Sequence, residues 1–150
     1  MQDSTSYRND SHYLSTRQYH DSGNLSSRIQ IHQKFSTGQQ GWYDFVFELS
    51  AIKPEMRVLE LGCGAASLWR AVMNRLSEST RVTLSDFSPG MVRDAANNLQ
   101  RDRRFHFVCM DSMNVTFPYP AFDLVVANHM LYHVPSVAQV LGQVDRKSVV

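Results

Sequence analysis

The residues able to do chemistry gather at two junctions in this sequence. At the first, Glu60-Leu61-Gly62-Cys63-Gly64-Ala65-Ala66 follows the apolar pair Val58-Leu59. Glycines at a strand-to-helix junction let a ligand approach the backbone, and the helix start beyond them offers free N–H donors. A glycine pair alone serves equally well as a packing turn. Glu60 shifts that balance. A fixed carboxylate there repels a pyrophosphate and attracts a ligand bearing an ammonium group. At the second junction, Asp86 ends the run Arg81-Val82-Thr83-Leu84-Ser85, twenty residues past Ala66. An acid at about that spacing accepts hydrogen bonds from ribose hydroxyls. Asp86 also precedes Ser88-Pro89 and could be a solvated loop residue. The joint spacing favours ribose binding.

Other glycine-turn chemistries fit less well. A P-loop needs Gly-Lys-Ser/Thr after the turn, and this turn has no lysine. The dinucleotide fingerprint G-x-G-x-x-G wants glycine or alanine at position 67, which is Ser67, and the shorter G-x-G-x-G rule finds Ala66. His129 and His133 are four apart, which on a helix places both on one face. The zinc hydrolases of that spacing need a glutamate after the first histidine, where this chain has Met130, so no metal site is expected. His133, next to Pro135, reads as structural, whereas His129 and Tyr132 are candidates for a substrate pocket. Cys63 and Cys109 form neither a disulfide framework nor a CxxC pair, and read as free thiols of a reducing, cytoplasmic compartment.

The elements that must position these residues follow from periodicity. Trp42, Phe45, Val46 and Leu49 fall at i, i+3, i+4 and i+7, one apolar helix face, which Lys53-Pro54 ends. Strands are expected at Arg57–Leu61, Arg81–Ser85, Phe105–Cys109 and Asp123–Asn128. Leu68, Val72 and Leu76 make a helical stripe, with Trp69 and Met73 beside it. Ser88-Pro89 reads as an N-cap followed by proline at the first helical position, opening a helix through Leu99. Val137, Val140, Leu141 and Val144 mark a last helix. Strand-helix alternation argues for an α/β fold with a mainly parallel sheet.

Bulk properties narrow the classes. The 150 residues carry a formal net charge of +1, with 43% hydrophobic and 19% charged residues. That is an ordinary globular balance, and it lacks the electrostatic footprint of a dedicated nucleic-acid binder. No apolar run approaches the length of a membrane span, and the polar N-terminus has no signal-peptide apolar segment. Residues 1–24 are rich in Ser, Asp, Asn, Gln and Tyr and can bury little surface on their own.

Four motifs, taken in order, carry a resemblance. Val58-Leu59-Glu60-Leu61-Gly62-Cys63-Gly64 resembles motif I of the class I S-adenosylmethionine-dependent methyltransferases. Leu84-Ser85-Asp86-Phe87-Ser88-Pro89-Gly90-Met91 resembles their second motif, and Cys109-Met110-Asp111-Ser112 the acid after their third strand. Phe122 to Val134 resembles their fourth strand and the loop after it. The resemblance spans Met56 to Val134. It implies a Rossmann-like parallel sheet of order 3-2-1-4 in this chain, with helices on both faces and an N-terminal helical extension over residues 1–40. Residues 41–150 would then be the N-terminal part of the methyltransferase domain.

Carried over position by position, the resemblance implies that Glu60 faces the methionine amino group of S-adenosylmethionine. Gly62, Cys63 and Gly64 pass the backbone under the ligand. Asp86 binds the ribose diol, and Phe87 and Met91 flank the adenine. Asp111 accepts from the adenine amino group, and the Ser112 N–H meets a ring nitrogen. Asn128 and His129 sit near the methionine end and the methyl group. Ala66 stands where most of the family has glycine, adding a methyl group expected to face the ligand.

The implied activity is methyl transfer to an acceptor that is a small molecule, with no nucleic acid and no membrane as partner. The donor is intrinsically activated, so no catalytic triad is needed and no catalytic residue is singled out. Residues 1–40, including Arg28 to Phe35, are expected to close over the cofactor as a lid. Two other classes stay in view: a non-catalytic module holding an adenosyl ligand or a partner protein, and a dinucleotide oxidoreductase, which Glu60 and the glycine spacing disfavour. Relatives build seven strands, and the sequence after Asp145 leaves no room for a fifth. The chain is therefore expected to be a truncated domain, weakly active in isolation, with its fourth strand an exposed edge open to self-association.

Overall fold

The computed structural model describes residues 40–99, 102–118 and 120–145. The lid expected at residues 1–40 lies outside these, apart from Gln40, whose amide donates to the Glu48 carboxylate at 2.8 Å. The described elements are α1 (Trp42–Leu49), β1 (Arg57–Leu61), α2 (Ser67–Val72) with a 3-10 turn at Met73–Arg75, and β2 (Arg81–Asp86). They continue with α3 (Pro89–Asn98), β3 (Phe105–Cys109), β4 (Leu124–Val126), a 3-10 turn at Leu131–His133 and α4 (Val137–Asp145).

The four strands form one parallel sheet in the order β3-β2-β1-β4, as expected. β1 is central, and Val58 to Leu61 are all buried. Its side chains alternate between two cores, as the period of a strand requires. Val58 joins a cluster with Leu68, Trp69, Val72, Leu84 and Ala95, beneath α1, α2 and α3. Leu59 and Leu61 join Val115, Phe122 and Val140 on the opposite face, beneath α4. A strand covered on both sides is apolar throughout, and Glu60 is the exception.

Local chemistry fixes the helix starts. The Ser88 hydroxyl accepts from the Met91 N–H at 3.3 Å, with Pro89 in the first turn of α3. Methionine 91 and Ala95 are its buried residues. α2 begins after Ala66, which holds a left-handed conformation at φ 59° and has no side-chain cap. It is shorter than the stripe through Leu76 implies, because after Val72 the chain tightens into the 3-10 turn.

Three further expectations change in detail. β4 covers Leu124–Val126 rather than Asp123–Asn128. Asp123 instead accepts from the Arg57 N–H at 2.7 Å and pairs with its guanidinium at 3.1 Å, clamping β4 to the start of β1. Among the described residues β4 is an outer strand, and its residues are half-buried rather than fully exposed.

α1 turns a different face to the core than its periodicity suggests. Tyr43, Val46 and Phe47 pack inward, whereas Trp42, Phe45 and Leu49 are 48%, 45% and 74% exposed. An eight-residue helix is marginal alone, so its contacts choose its orientation. The core takes Tyr43, Val46 and Phe47, and at the surface Arg75 pairs with Asp44 at 2.8 Å and Glu48 at 3.4 Å and lies 4.5 Å from the Phe47 ring centroid.

His129 and His133 do not share a helix face. His129 has φ 55° and precedes the turn that holds His133.

The turn after β1 is sterically closed. Gly62 has φ +67°, and a Cβ there would lie 2.6 Å from Met130 Cβ and 2.9 Å from Met130 Cγ. Gly62→Ala should therefore lower unfolding stability by more than the roughly 1–3 kcal/mol of a strained backbone alone. Urea unfolding monitored by tryptophan fluorescence checks this, and an unchanged midpoint would refute the close approach of Met130.

Candidate functional site

All four strands point their carboxyl ends to one edge of the sheet, where their loops converge. The pairings Leu61 with Ser85 and Asp86 with Cys109 bring the ends of β1, β2 and β3 level. The strand order reverses beside β1, the position where open α/β sheets take ligands.

The glycine turn is laced to β2. The Cys63 N–H donates to the Ser85 carbonyl at 2.9 Å, and the Gly64 N–H to Asp86 Oδ2 at 2.9 Å. Gly64 has φ 54°, a left-handed conformation that glycine adopts without steric cost. Asp86 Oδ1 accepts from the Ser88 N–H at 2.8 Å. The Asp86 carboxylate thus ties the glycine turn to the start of α3. Burial raises its pKa, and the hydrogen bonds from Ser88 and Gly64 oppose the rise. Further along, the Met110 N–H donates to the Asp86 carbonyl at 3.0 Å, and Asp111 Oδ1 accepts from Met113 N–H at 2.8 Å.

Glu60 is 3% exposed on the face of β1 that α2 covers. The indole Nε1–H of Trp69, 1% exposed, donates to its Oε2 at 2.5 Å. Burial lifts the Glu60 carboxyl to about 7, the Trp69 hydrogen bond pulls it down, and the Asp86 charge pushes it up. Cys63, buried beside both acids, has its thiol pushed well above its ordinary value, first by burial and then by Glu60 and Asp86. Among the described residues, neither Glu60 nor Asp86 has a cationic partner, and no three His, Cys, Asp or Glu side chains gather as a metal site.

The remaining sequence candidates fall along the same edge with different accessibility. Phe87 is 45% exposed, whereas Met91 is 1% exposed, which leaves Phe87 as the member of that pair with an open face. Asp111 is exposed and Ser112 buried. Asn128 is half-buried. His129 is exposed, with its ring centroid 5.0 Å from that of Trp42. Ala66 is a correction: its methyl group is wholly buried within the core cluster under α2 and does not face a ligand. Trp69 is the residue the sequence reading missed as a site member. A buried indole needs an acceptor for its N–H, and Glu60 was the buried acid in search of a donor. A separate hollow of about 220 Å³ lies at the opposite edge of the sheet, among Lys53, Pro54, Arg75 and Thr80, and no acid lines it.

The Glu60 carboxyl has a consequence for stability. Its folded value, about 7, lies above its ordinary 4.5, so the folded state binds this proton more tightly. The stabilisation is fully present below 4.5 and is lost as pH rises through about 7, roughly 3 kcal/mol in all. Glu60→Gln should remove this decline, and above pH ~7 it should be the more stable protein. Urea titrations at pH ~5 and ~8 check it; parallel pH profiles of the two proteins would show that Glu60 is not the group.

The family model described as "Methyltransferase domain" matches residues 58–147. A demethylmenaquinone methyltransferase of Lysinibacillus sphaericus is 29% identical over 106 residues, which is 71% of this chain and 45% of that protein. A sterol 24-C-methyltransferase of Gibberella zeae is 29% identical over 96 residues, 63% of this chain and 25% of that protein. The chain thus spans less than half the length of these relatives. Among solved structures, a SAM-dependent methyltransferase from Aquifex aeolicus superposes with a TM-score of 0.66 at 17% identity, covering 81% of this chain and 66% of that one. The [4+2]-cyclase SpnF superposes with a TM-score of 0.67 at 22% identity, covering 76% and 45%. At these identities the superpositions show the fold and not the reaction. The fold, the motif order and the family match over residues 58–147 agree: the chain belongs to the methyltransferase domain family.

Proposed function

We propose that this chain holds S-adenosylmethionine at the carboxyl edge of its sheet, as the cofactor-binding half of a methyltransferase with a small-molecule acceptor. The observation that carries the reading is the buried Glu60 carboxyl, without a cationic partner among the described residues, beside a glycine turn anchored to Asp86. A buried acid of this kind is costly unless something cationic meets it. The methionine ammonium group supplies that charge. Asp86 keeps lone pairs beyond its two backbone hydrogen bonds, and these suit a ribose diol. Phe87 offers an adenine face, with Met91 buried behind, and Asp111 and Ser112 serve the adenine edge. Asn128 and His129 lie toward the reacting end.

Bound S-adenosylmethionine supplies a sulfonium methyl group open to in-line displacement. The chain's own residues bind, orient and keep water out. Met130, packed on Gly62, closes the floor of the turn. The exposed Trp42 and Phe45 beside His129 form an aromatic wall that suits an apolar acceptor. The relatives named for demethylmenaquinone and sterol, both small molecules, support that acceptor class. No helix of the described residues is long and apolar enough to cross a membrane.

The reading includes self-pairing through β4, whose outer side meets no further strand among the described residues. Size-exclusion chromatography at rising concentration should show mass moving toward a dimer, and a constant monomer would remove that part.

Calorimetric titration tests the cofactor. S-adenosylmethionine and S-adenosylhomocysteine should bind, and NAD should not. Asp86→Asn keeps one acceptor oxygen for the turn while removing the charge, and should weaken binding about tenfold or more. Binding of NAD alone, or an unaffected Asp86→Asn variant, would overturn the assignment.

A further inference from the structure

Glu60 and Trp69 form a unit that motif spacing does not describe. Both side chains are buried, at 3% and 1% exposure, and the indole N–H meets Glu60 Oε2 at 2.5 Å. The Ser85 hydroxyl on β2 donates to the Glu60 backbone carbonyl at 2.8 Å and not to the carboxyl. The charged group that acts on Glu60 is acidic, Asp86 from β2, and Glu60 and Asp86 in turn push up the Cys63 thiol in the turn. β4 presents Leu124 and Val126 to this core face, and α2 presents Leu68, Trp69 and Val72.

The two carboxyls are unequal. Asp86 receives one backbone N–H on each oxygen, which favours its charged form. Glu60 is more deeply buried and receives the Trp69 N–H. With two acids close together and no cation paired to them among the described residues, the proton settles on Glu60.

We propose that Trp69 is a positioning residue that sets the proton occupancy of Glu60, so that cofactor binding at this site is coupled to release of the Glu60 proton. This rests on the adenosyl-cofactor reading above. An arriving ammonium group stabilises the charged carboxylate, and the proton leaves to solvent. The O–H bond of Glu60 breaks, the carboxylate keeps the electron pair, and buffer takes the proton. Binding therefore weakens as pH falls below about 7, by up to about tenfold per pH unit. Trp69 tunes the midpoint, because its N–H favours the carboxylate. Trp69→Phe removes that donor and should move the midpoint upward, with affinity recovering at higher pH. A merely structural loss would lower affinity equally at every pH.

The test is calorimetry in buffers of different ionisation enthalpy, with two probes. S-adenosylhomocysteine carries the ammonium group, and methylthioadenosine keeps the adenosyl portion without it. At pH ~6, S-adenosylhomocysteine should release close to one proton on binding and methylthioadenosine close to none. Glu60→Gln should abolish the release; should Trp69→Phe fail to fold, this variant and the two-probe comparison decide. Equal proton release by both probes, undiminished release in Glu60→Gln, or a pH-independent loss in a folded Trp69→Phe would each overturn the coupling. Binding of both probes without proton release would overturn it and leave the cofactor reading standing. Failure of both probes to bind at any pH would overturn the cofactor reading itself, and the coupling with it.

Discussion

The hydrogen bond from the Gly64 N–H to the Asp86 carboxylate, at 2.9 Å, is the constraint around which this sheet edge is organised. It joins the turn after β1 to the end of β2, and through the Ser88 N–H the same carboxylate reaches the start of α3. Parallel strands share no hairpin, so their loops hold a common shape only where such contacts cross between them. The turn can reach Asp86 because Gly62 and Gly64 both take left-handed conformations. Met130 then packs against Gly62, and the loop after β4 joins the same assembly.

Two pairs of acids among the described residues stand in contrast. Asp123 and Asp102 have arginine partners, Arg57 and Arg104, whose hydrogen bonds hold both carboxyls below their ordinary value. Those carboxylates are satisfied within the fold. Glu60 and Asp86 lie at the carboxyl edge without such partners among the described residues, and burial raises both. A fold selected for stability alone would place a leucine or valine at the Glu60 position, matching Val58 two residues earlier on the same face. A perturbed acid in a ligand-binding crevice is the electrostatic mark of a site.

α1 shows how a short element is governed from outside itself. Its sequence offers apolar residues on more than one face; the core takes Tyr43, Val46 and Phe47, and Arg75 braces that placement at the surface through Asp44, Glu48 and the Phe47 ring. Trp42 is left half-exposed, with its ring centroid 5.0 Å from that of His129 in the loop after β4.

Much of this was legible in the sequence because it is local. The strand at Arg57–Leu61, the Ser88 cap, the glycine turn and the acid at position 86 are each written in residues a few positions apart, and the strand-helix alternation fixes a parallel sheet. The order β3-β2-β1-β4 followed from the motif resemblance. What the sequence left open depends on contacts between distant residues. The buried face of α1 was decided by packing against core residues distant in sequence, a placement that Arg75, 31 positions from Asp44, braces from the surface. The methyl group of Ala66 turned into the core rather than toward a ligand, since a left-handed φ redirects Cβ. The partnership of Trp69 with Glu60 crosses from α2 to β1, and a helical stripe read by hydrophobicity alone counts an indole as apolar and overlooks its N–H. Spacing along the chain named the acids; the low dielectric around them, which only tertiary packing creates, is what raises both carboxyls above their ordinary values.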